Sequence, residues 1–229
     1  MPRKHYAKKA TKRKPYRKVH RKRPRRRALV SNYVPSGMPT TRIAKLKYCQ
    51  INALTSTSGI LTEQLYSANN IYDPDVSGAG HQPMGHDQWA ALFNHYVVLG
   101  SKITLKCCDS DSTVAPTHVG LYLSDGKTLS YTSGYQYAEA RKGQNRLTAP
   151  GANKTLYMRA KFSAKKFYNV KDMKDNTDRL GAAVGASPGE QAFFHFWVQT
   201  IDASTNTIRY IAEIEYIVLF SEPKDLSTS

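Results

Sequence analysis

The chain has 229 residues, with 34 Lys and Arg against 17 Asp and Glu and a formal net charge of +17. That length suits one domain with an appendage. A membrane span needs about 18 or more consecutive apolar residues, and a secretory signal needs an apolar stretch behind its charged start; no apolar run is longer than that of Tyr216-Ile217-Val218-Leu219-Phe220 and the first 27 residues are almost free of apolar groups, so neither is expected.

Those first 27 residues hold 15 basic side chains and no acid: Arg3, Lys4, Lys8, Lys9, Lys12, Arg13, Lys14, Arg17, Lys18, Arg21, Lys22, Arg23, Arg25, Arg26 and Arg27. Residues 28–229 keep 19 basic side chains against all 17 acidic ones, about +2, the balance of an ordinary folded domain. The arm lacks apolar groups to offset the roughly 1–2 kcal/mol of entropy lost per ordered residue, and its charges repel one another. It is expected to be disordered until it meets a polyanion. Residues 28–40 (ALVSNYVPSGMPT) read as a tether. A folded body is expected over residues 41–229.

Within the body the dominant signal is alternation with a period of two, the mark of strands with one face in a core. Residues 43–54 and 59–66 are the first candidates. Residues 87–94 (DQWAALFN) break the pattern, with Trp89, Leu92, Phe93 and Tyr96 at helical spacing and Asp87 as the expected cap. Over residues 95–107, Val97, Leu99, Ile103, Leu105 and Cys107 share one face, while Lys102, Thr104 and Lys106 share the other. Val119, Leu121 and Leu123 repeat the alternation. Residues 125–151 are polar with several tyrosines, too long for a plain connector. Leu156, Met158 and Ala160 alternate with Tyr157, Arg159 and Lys161, and a short strand is predicted over 165–170. Residues 171–190 read as loop with at most a turn of helix. Residues 192–201 and 207–220 are strands apolar on both faces in places, joined by Asp202-Ala203-Ser204-Thr205-Asn206, a turn of hairpin length. The pattern predicts an all-β fold: an eight-stranded jelly-roll β-sandwich with one short helix, behind a disordered basic arm and tether at residues 1–40.

The arm carries the strongest chemical signal. Cations this dense, with Arg prominent for its bidentate grip on phosphate, are an electrostatic footprint for nucleic acid, read without sequence preference. The clusters Lys12-Arg13-Lys14 and 21–27 also read as nuclear localisation signals. A second cluster, Arg159, Lys161, Lys165, Lys166, Lys171 and Lys174, is interleaved with Tyr157, Phe162, Phe167 and Tyr168. Its cations and rings can neutralise phosphate and stack unpaired bases, or form a solvated strand face with the aromatics turned inward. Enzymatic signatures are missing: there is no GxxxxGK[ST], GxGxxG, GxSxG or HExxH. The seven histidines include no HxH pair, and His195 reads as a hydrogen-bonded core residue. Asp109 and Asp111, or Asp172, Asp175 and Asp178, could hold a hard cation, though solvated loop acids are the simpler reading. No cofactor, metal or catalytic residue is assigned. Cys49, Cys107 and Cys108 form no disulfide framework or CxxC motif and are expected to be buried small hydrophobes in a reducing compartment.

Residues 67–101 read SANNIYDPDVSGAGHQPMGHDQWAALFNHYVVLGS. Tyr72-Asp73-Pro74-Asp75, Gly80-His81-Gln82-Pro83, Asp87-Gln88-Trp89 and the strand with Gly100-Ser101 make this stretch similar to capsid proteins of small circular single-stranded DNA viruses, the circovirus-like group. Ser163-Ala164-Lys165-Lys166-Phe167-Tyr168 with Val170-Lys171-Asp172, and the late Phe/Trp-rich strand, add to the resemblance. It implies a jelly-roll protomer, a homo-oligomeric icosahedral shell of sixty copies, packaging of a circular single-stranded DNA genome, and use of the nuclear import machinery. The host-cell attachment factor stays unassigned, because the loops differ from those of circoviruses. Sixty arms would bring about 900 positive charges inside such a shell, the order of the phosphate count of a small genome. Charge alone leaves open a coat protein for RNA, and a non-viral nucleic-acid-binding protein with a basic tail.

Overall fold

The computed structural model describes residues 39–109, 115–148, 150–151, 155–173 and 176–225, all within one unit of the chain, residues 34–229. The expected arm and nearly all of the tether lie outside the described residues. Those residues form nine strands: β1 (Thr41–Thr57), β2 (Thr62–Ser67), β3 (Phe93–Cys108), β4 (Thr117–Ser124), β5 (Gln144–Leu147), β6 (Leu156–Ser163), β7 (Gly181–Ala183), β8 (Phe193–Thr200) and β9 (Thr205–Pro223). Short helical segments are α1 (His86–Leu92), α2 (Gly134–Glu139), α3 (Ala164–Phe167) and α4 (Thr177–Leu180), where the sequence predicts one.

One sheet has the order β1-β9-β3-β6, with β7 also pairing β3, and the other has the order β2-β8-β4-β5. All pairs are antiparallel, and the chain crosses from sheet to sheet at most connections. This is a jelly-roll sandwich. Its two four-stranded rows match the predicted number, but the membership differs. The segment 165–170 is not a strand, β5 takes the vacant place, and β7 is added inside 171–190.

The inward faces of the sheets meet in one core. Leu46, Tyr48 and Leu54 of β1, Ile103 and Leu105 of β3, Phe194, Phe196 and Val198 of β8, and Ile208 through Phe220 on alternate positions of β9 contribute to it. Four tyrosines buried in this core have their hydroxyls satisfied. Tyr66 and Tyr210 share a bond of 3.1 Å, Tyr96 donates to Asn70 Oδ1 at 2.9 Å, and Tyr216 donates to the Ser67 carbonyl at 2.7 Å.

The alternation in β3 changes phase where the sequence reading kept it constant. A bulge between Val98 and Gly100 inserts Leu99 into the ladder with β9, so Tyr96 and Val98 face the core before it and Ser101, Ile103 and Leu105 after it. The extra residue leaves Leu99 half-buried on the outer side.

β8 and β9 are not a hairpin, because they lie in opposite sheets. Their inward faces meet across the core, with the Phe196 and Tyr210 rings 4.6 Å apart. The turn between them is tied instead to the turn between β1 and β2. Thr200 N donates to Ser56 Oγ at 3.0 Å, and Gly59 N donates to Thr200 Oγ1 at 3.1 Å. Ser58 N donates to the Ser204 carbonyl at 3.2 Å.

The long crossover between β2 and β3 is stapled by its own polar side chains. Asn70 Oδ1 accepts from the backbone of Tyr72 and Asp73, closing an Asx turn. Buried Asp75 accepts from Gln50 Nε2 at 2.7 Å, Gln64 Nε2 at 2.6 Å and Ser77 N at 3.0 Å, which binds the crossover to β1 and β2. Gly80 lies against Asp75 and Tyr48, so closely that a Cβ would meet Asp75 at 2.6 Å. Gly85, in the left-handed region, precedes α1, and Asp87 sits in the first turn and not at the cap. Trp89 is half-buried and stacks on Phe220 with centroids 5.2 Å apart.

Residues 125–143 cover the outer face of the β2-β8-β4-β5 sheet. Trp197, Tyr122, Tyr137 and Leu61 form a second small core there. His195, fully buried as expected, stacks on Tyr122; its Nδ1 lies 2.8 Å from Glu63 and its Nε2 2.9 Å from the Gly126 carbonyl. Cys107 is buried as expected, and burial pushes its thiol up to about 12. Cys49 and Cys108 are exposed, because both fall on the outer side of their strands.

Gly120 of β4 admits the Trp197 ring so closely that a Cβ would stand 2.1 Å from it. Gly120→Ala is expected to destabilise the domain by about 1–3 kcal/mol in urea unfolding, as overpacked cores do; an unchanged midpoint would show that the cover over Trp197 yields freely.

Candidate nucleic-acid interface

Among the described residues the outer face of the β1-β9-β3-β6 sheet has no such cover, and the register of its strands assembles its charges. Lys47 on β1 lies beside Glu215 on β9, Glu215 beside Lys102 on β3, and Lys102 beside Lys161 on β6. One row further along, Cys49, Glu213, Thr104 and Arg159 follow in the same order. With Lys45, Lys106 and Arg209 included, seven cations share this face with two carboxylates among the described residues, a local excess of five in a body of about +2.

Two of these lysines share one carboxylate. Glu213 pairs with Lys47 at 3.2 Å and with Lys106 at closer range, and the hydrogen bonds from Lys106 and then Lys47 hold its carboxyl below its usual range. The same bond holds the Lys106 ammonium above its ordinary value. Lys45, Lys102, Lys161, Lys166 and Arg159 pair with no carboxylate among the described residues.

The face is not flat. The row Lys45, Ile217, Gly100, Ser163 contains a residue without a side chain and one with a very short one. A groove of about 840 Å³ opens there, bordered by Lys45, Lys102, Lys161 and Lys166, with Glu215 at one side. Ile217, Leu99 and Phe167 give it apolar walls. The bulge in β3 has turned Leu99 to this side, where it also borders a second groove with Arg42 and Lys171.

The four body residues expected to bind nucleic acid are therefore placed as follows. Arg159 and Lys161 stand on the outward side of β6, and Lys165 and Lys166 are exposed on α3. Lys161 and Lys166 border the groove. Lys171 borders the neighbouring one, and Lys174 and the fifteen arm residues lie outside the described residues. The interleaved rings divide: Tyr157 is exposed, Phe162 is in the core, and Phe167 and Tyr168 are half-buried against it. That packing is why 164–167 is a helical turn. Period two would send Phe167 and Tyr168 to opposite faces, whereas the turn brings both within 5.6 and 6.1 Å of Phe162. Lys45 and Lys102, missed as site residues, were legible as outward positions on their strands, but only the sheet order brings them beside β6.

The cation sites weighed from sequence do not assemble. Asp109 is buried and accepts from Thr148 Oγ1 at 2.6 Å and Asn206 Nδ2 at 3.1 Å, Asp172 and Asp178 are exposed, and Asp111 and Asp175 lie outside the described residues. Among the described residues no three His, Cys, Asp or Glu side chains gather as a metal ion would need.

No family model matches the chain. No curated protein matches it either. Among solved structures it is similar to that of Desmodium yellow mottle tymovirus, with 15% identity over 86% of this chain and 95% of the other and a TM-score of 0.42. It is similar to the 60-mer BFDV capsid protein, with 13% identity over 83% and 100% and a TM-score of 0.41. It is similar to the virus-like particle of Macrobrachium rosenbergii nodavirus, with 10% identity over 88% and 94% and a TM-score of 0.47. All three likenesses are distant, and the jelly-roll assignment stands on the strand order itself.

Because the Glu213 pKa is lowered in the folded chain, the stability it contributes is present above its ordinary unfolded value of 4.5 and is lost as pH falls through the lowered value. Carboxyl ¹³C NMR of the protein is expected to place its midpoint below that of an unpaired glutamate, and Lys106→Met to move it back upward. A midpoint that ignores Lys106→Met would mean that the pair does not form in solution.

Proposed function

We propose that this chain is a viral coat protein that assembles into a small icosahedral shell and packages single-stranded nucleic acid through residues 1–27. The observation that carries the reading is the segregation of charge: fifteen cations without an acid in 27 residues, joined to a body of about +2. A shell subunit needs both parts, a near-neutral body that can pack against its own copies and a detachable counter-charge for the genome. A chromatin or ribosomal protein spreads its positive charge through the body, which this chain does not do.

The finer terms of the proposal rest on the motifs at 67–101 and 163–172. Their resemblance to circovirus-like capsid proteins favours sixty copies and a circular single-stranded DNA genome over RNA, to whose 2′-hydroxyls the arm's charge is indifferent. Residues 1–40 are proposed as arm and tether and residues 41–229 as the shell domain. The site residues are the fifteen arm cations together with Arg159, Lys161, Lys165 and Lys166. No catalytic role is proposed. In this mechanism assembly and packaging are one equilibrium, because each arm that neutralises phosphate releases counterions. With all fifteen cations engaged, affinity for a single strand would fall by about six decades between 50 and 200 mM salt.

Replacing the fifteen arm cations by Gln in the full-length chain is expected to reduce nuclease-protected nucleic acid to background while leaving the far-ultraviolet circular dichroism of the body unchanged. Protection at the wild-type ratio would transfer the role from the arm to the body. Residues 1–27 fused to a cytosolic reporter are expected to carry it into the nucleus; a reporter that stays in the cytoplasm would remove the import role.

A further inference from the structure

Resting on that reading, we propose that the groove between Lys45, Lys102, Lys161 and Lys166 is a seat for unpaired nucleotides, with bases against Ile217 and Phe167 and phosphates on the lysines. The body would then distinguish a single strand from a duplex, which the arm's charge cannot do.

The argument begins with the charges. Lys47 and Lys106 are held by Glu213, but the four lysines around the groove pair with no carboxylate among the described residues, and the one acid beside them, Glu215, cannot compensate four ammonium groups. Water and mobile counterions balance them in the free protein, and a polyanion that displaces those counterions would gain from doing so. Lys45 and Lys161 belong to β1 and β6, the first and last strands of the four-strand row. At about 4.8 Å per strand, and with an offset of two residues along the strands, they are anchored roughly 16 Å apart, so a ligand with a single anionic head is too small to serve both. The occupant carries several anionic groups in a row.

The second part of the argument is the apolar wall. The groove's volume of about 840 Å³ lies within the range of small-molecule pockets, roughly 300–1,000 Å³. Ile217 is 41% exposed, an apolar surface in the middle of a charged face. Polyphosphate would satisfy the lysines and leave that surface wet. A duplex presents phosphates outward and keeps its bases stacked inside. A single strand alone repeats an anionic group and a flat apolar one at every unit, and sequence-tolerant sites for it combine these two features. The depression exists because Gly100 and Ser163 lie side by side in the row, and the bulge at Leu99 walls it. The seat is therefore built by two small residues and one inserted residue, and it can be filled without touching a charge.

The test uses the full-length protein and an oligothymidylate of about twelve nucleotides carrying 5-iodouracil, photo-crosslinked and mapped by tryptic mass spectrometry. Crosslinks are expected in the peptide 167–171 as well as in the arm. They should be competed by unlabelled oligothymidylate about tenfold better than by a duplex or polyphosphate of equal charge, the share that one stacked base carries. Ser163→Leu, which fills the groove, and the pair Lys102→Glu with Lys161→Glu, which reverses its charge, should each reduce the 167–171 crosslink about tenfold while crosslinks to residues 1–27 persist. Crosslinks confined to the arm, equal competition by polyphosphate, or a crosslink indifferent to Ser163→Leu would overturn the seat and leave the coat reading standing. Absence of crosslinks from the arm as well would overturn the coat reading itself.

Discussion

The ladder between β1 and β9 is the constraint on which the rest of the structure depends. It runs without interruption from Thr41 opposite Ser221 to Thr57 opposite Thr205. By fixing which side of β9 faces inward, it commits Ile208, Tyr210, Ile214, Tyr216 and Val218 to the core and Glu213, Glu215 and Ile217 to the surface. β3 takes its register from the other edge of β9, and β6 takes its register from β3. The row of lysines around Gly100 is thus a consequence of one pairing propagated across three strands.

The two outer faces of the sandwich have opposite fates for a compositional reason. β8 is apolar on both sides, so its outer aromatics need cover and find it in Leu129, Tyr131 and Tyr137 from the stretch that follows β4. The outward positions of β1, β3 and β6 include many Lys, Arg, Thr and Ser side chains, which water satisfies, beside the exposed Ile43 and Ile51, and among the described residues no loop lies over them.

The alternation of period two carried most of the architecture, since β1, β3, β4, β6, β8 and β9 each follow from inward residues such as Leu105, Val119 and Met158. What it could not carry was partnership. Nothing in residues 192–220 distinguishes a hairpin from a crossover, because a turn of five polar residues serves both; the choice is made by the hydrogen bonds of Ser56 and Thr200, which are remote in sequence. The bulge was hidden because Val97 and Leu99 are as apolar as Ile103, so the change of phase leaves no trace in composition. At the interface, Arg159 through Lys166 stood out as a local cluster. Lys45 and Lys102 did not, since their membership is a property of the sheet and not of their neighbours in the chain.

The β1 and β9 ladder also sets an order of events. Thr41 meets a partner about 180 residues later in the chain, and at roughly 5–20 residues per second a ribosome needs on the order of ten to forty seconds to make it. Throughout that interval β1 has an inward face of Leu46, Tyr48 and Leu54 and no strand to pair with. The basic arm is already outside, because it precedes β1. Each nascent chain therefore displays its fifteen N-terminal basic side chains before its sheet can close, and its folding, dominated by distant pairings, belongs to the slow class. A cell making many copies at once must keep these unfinished edges apart until the last strand arrives.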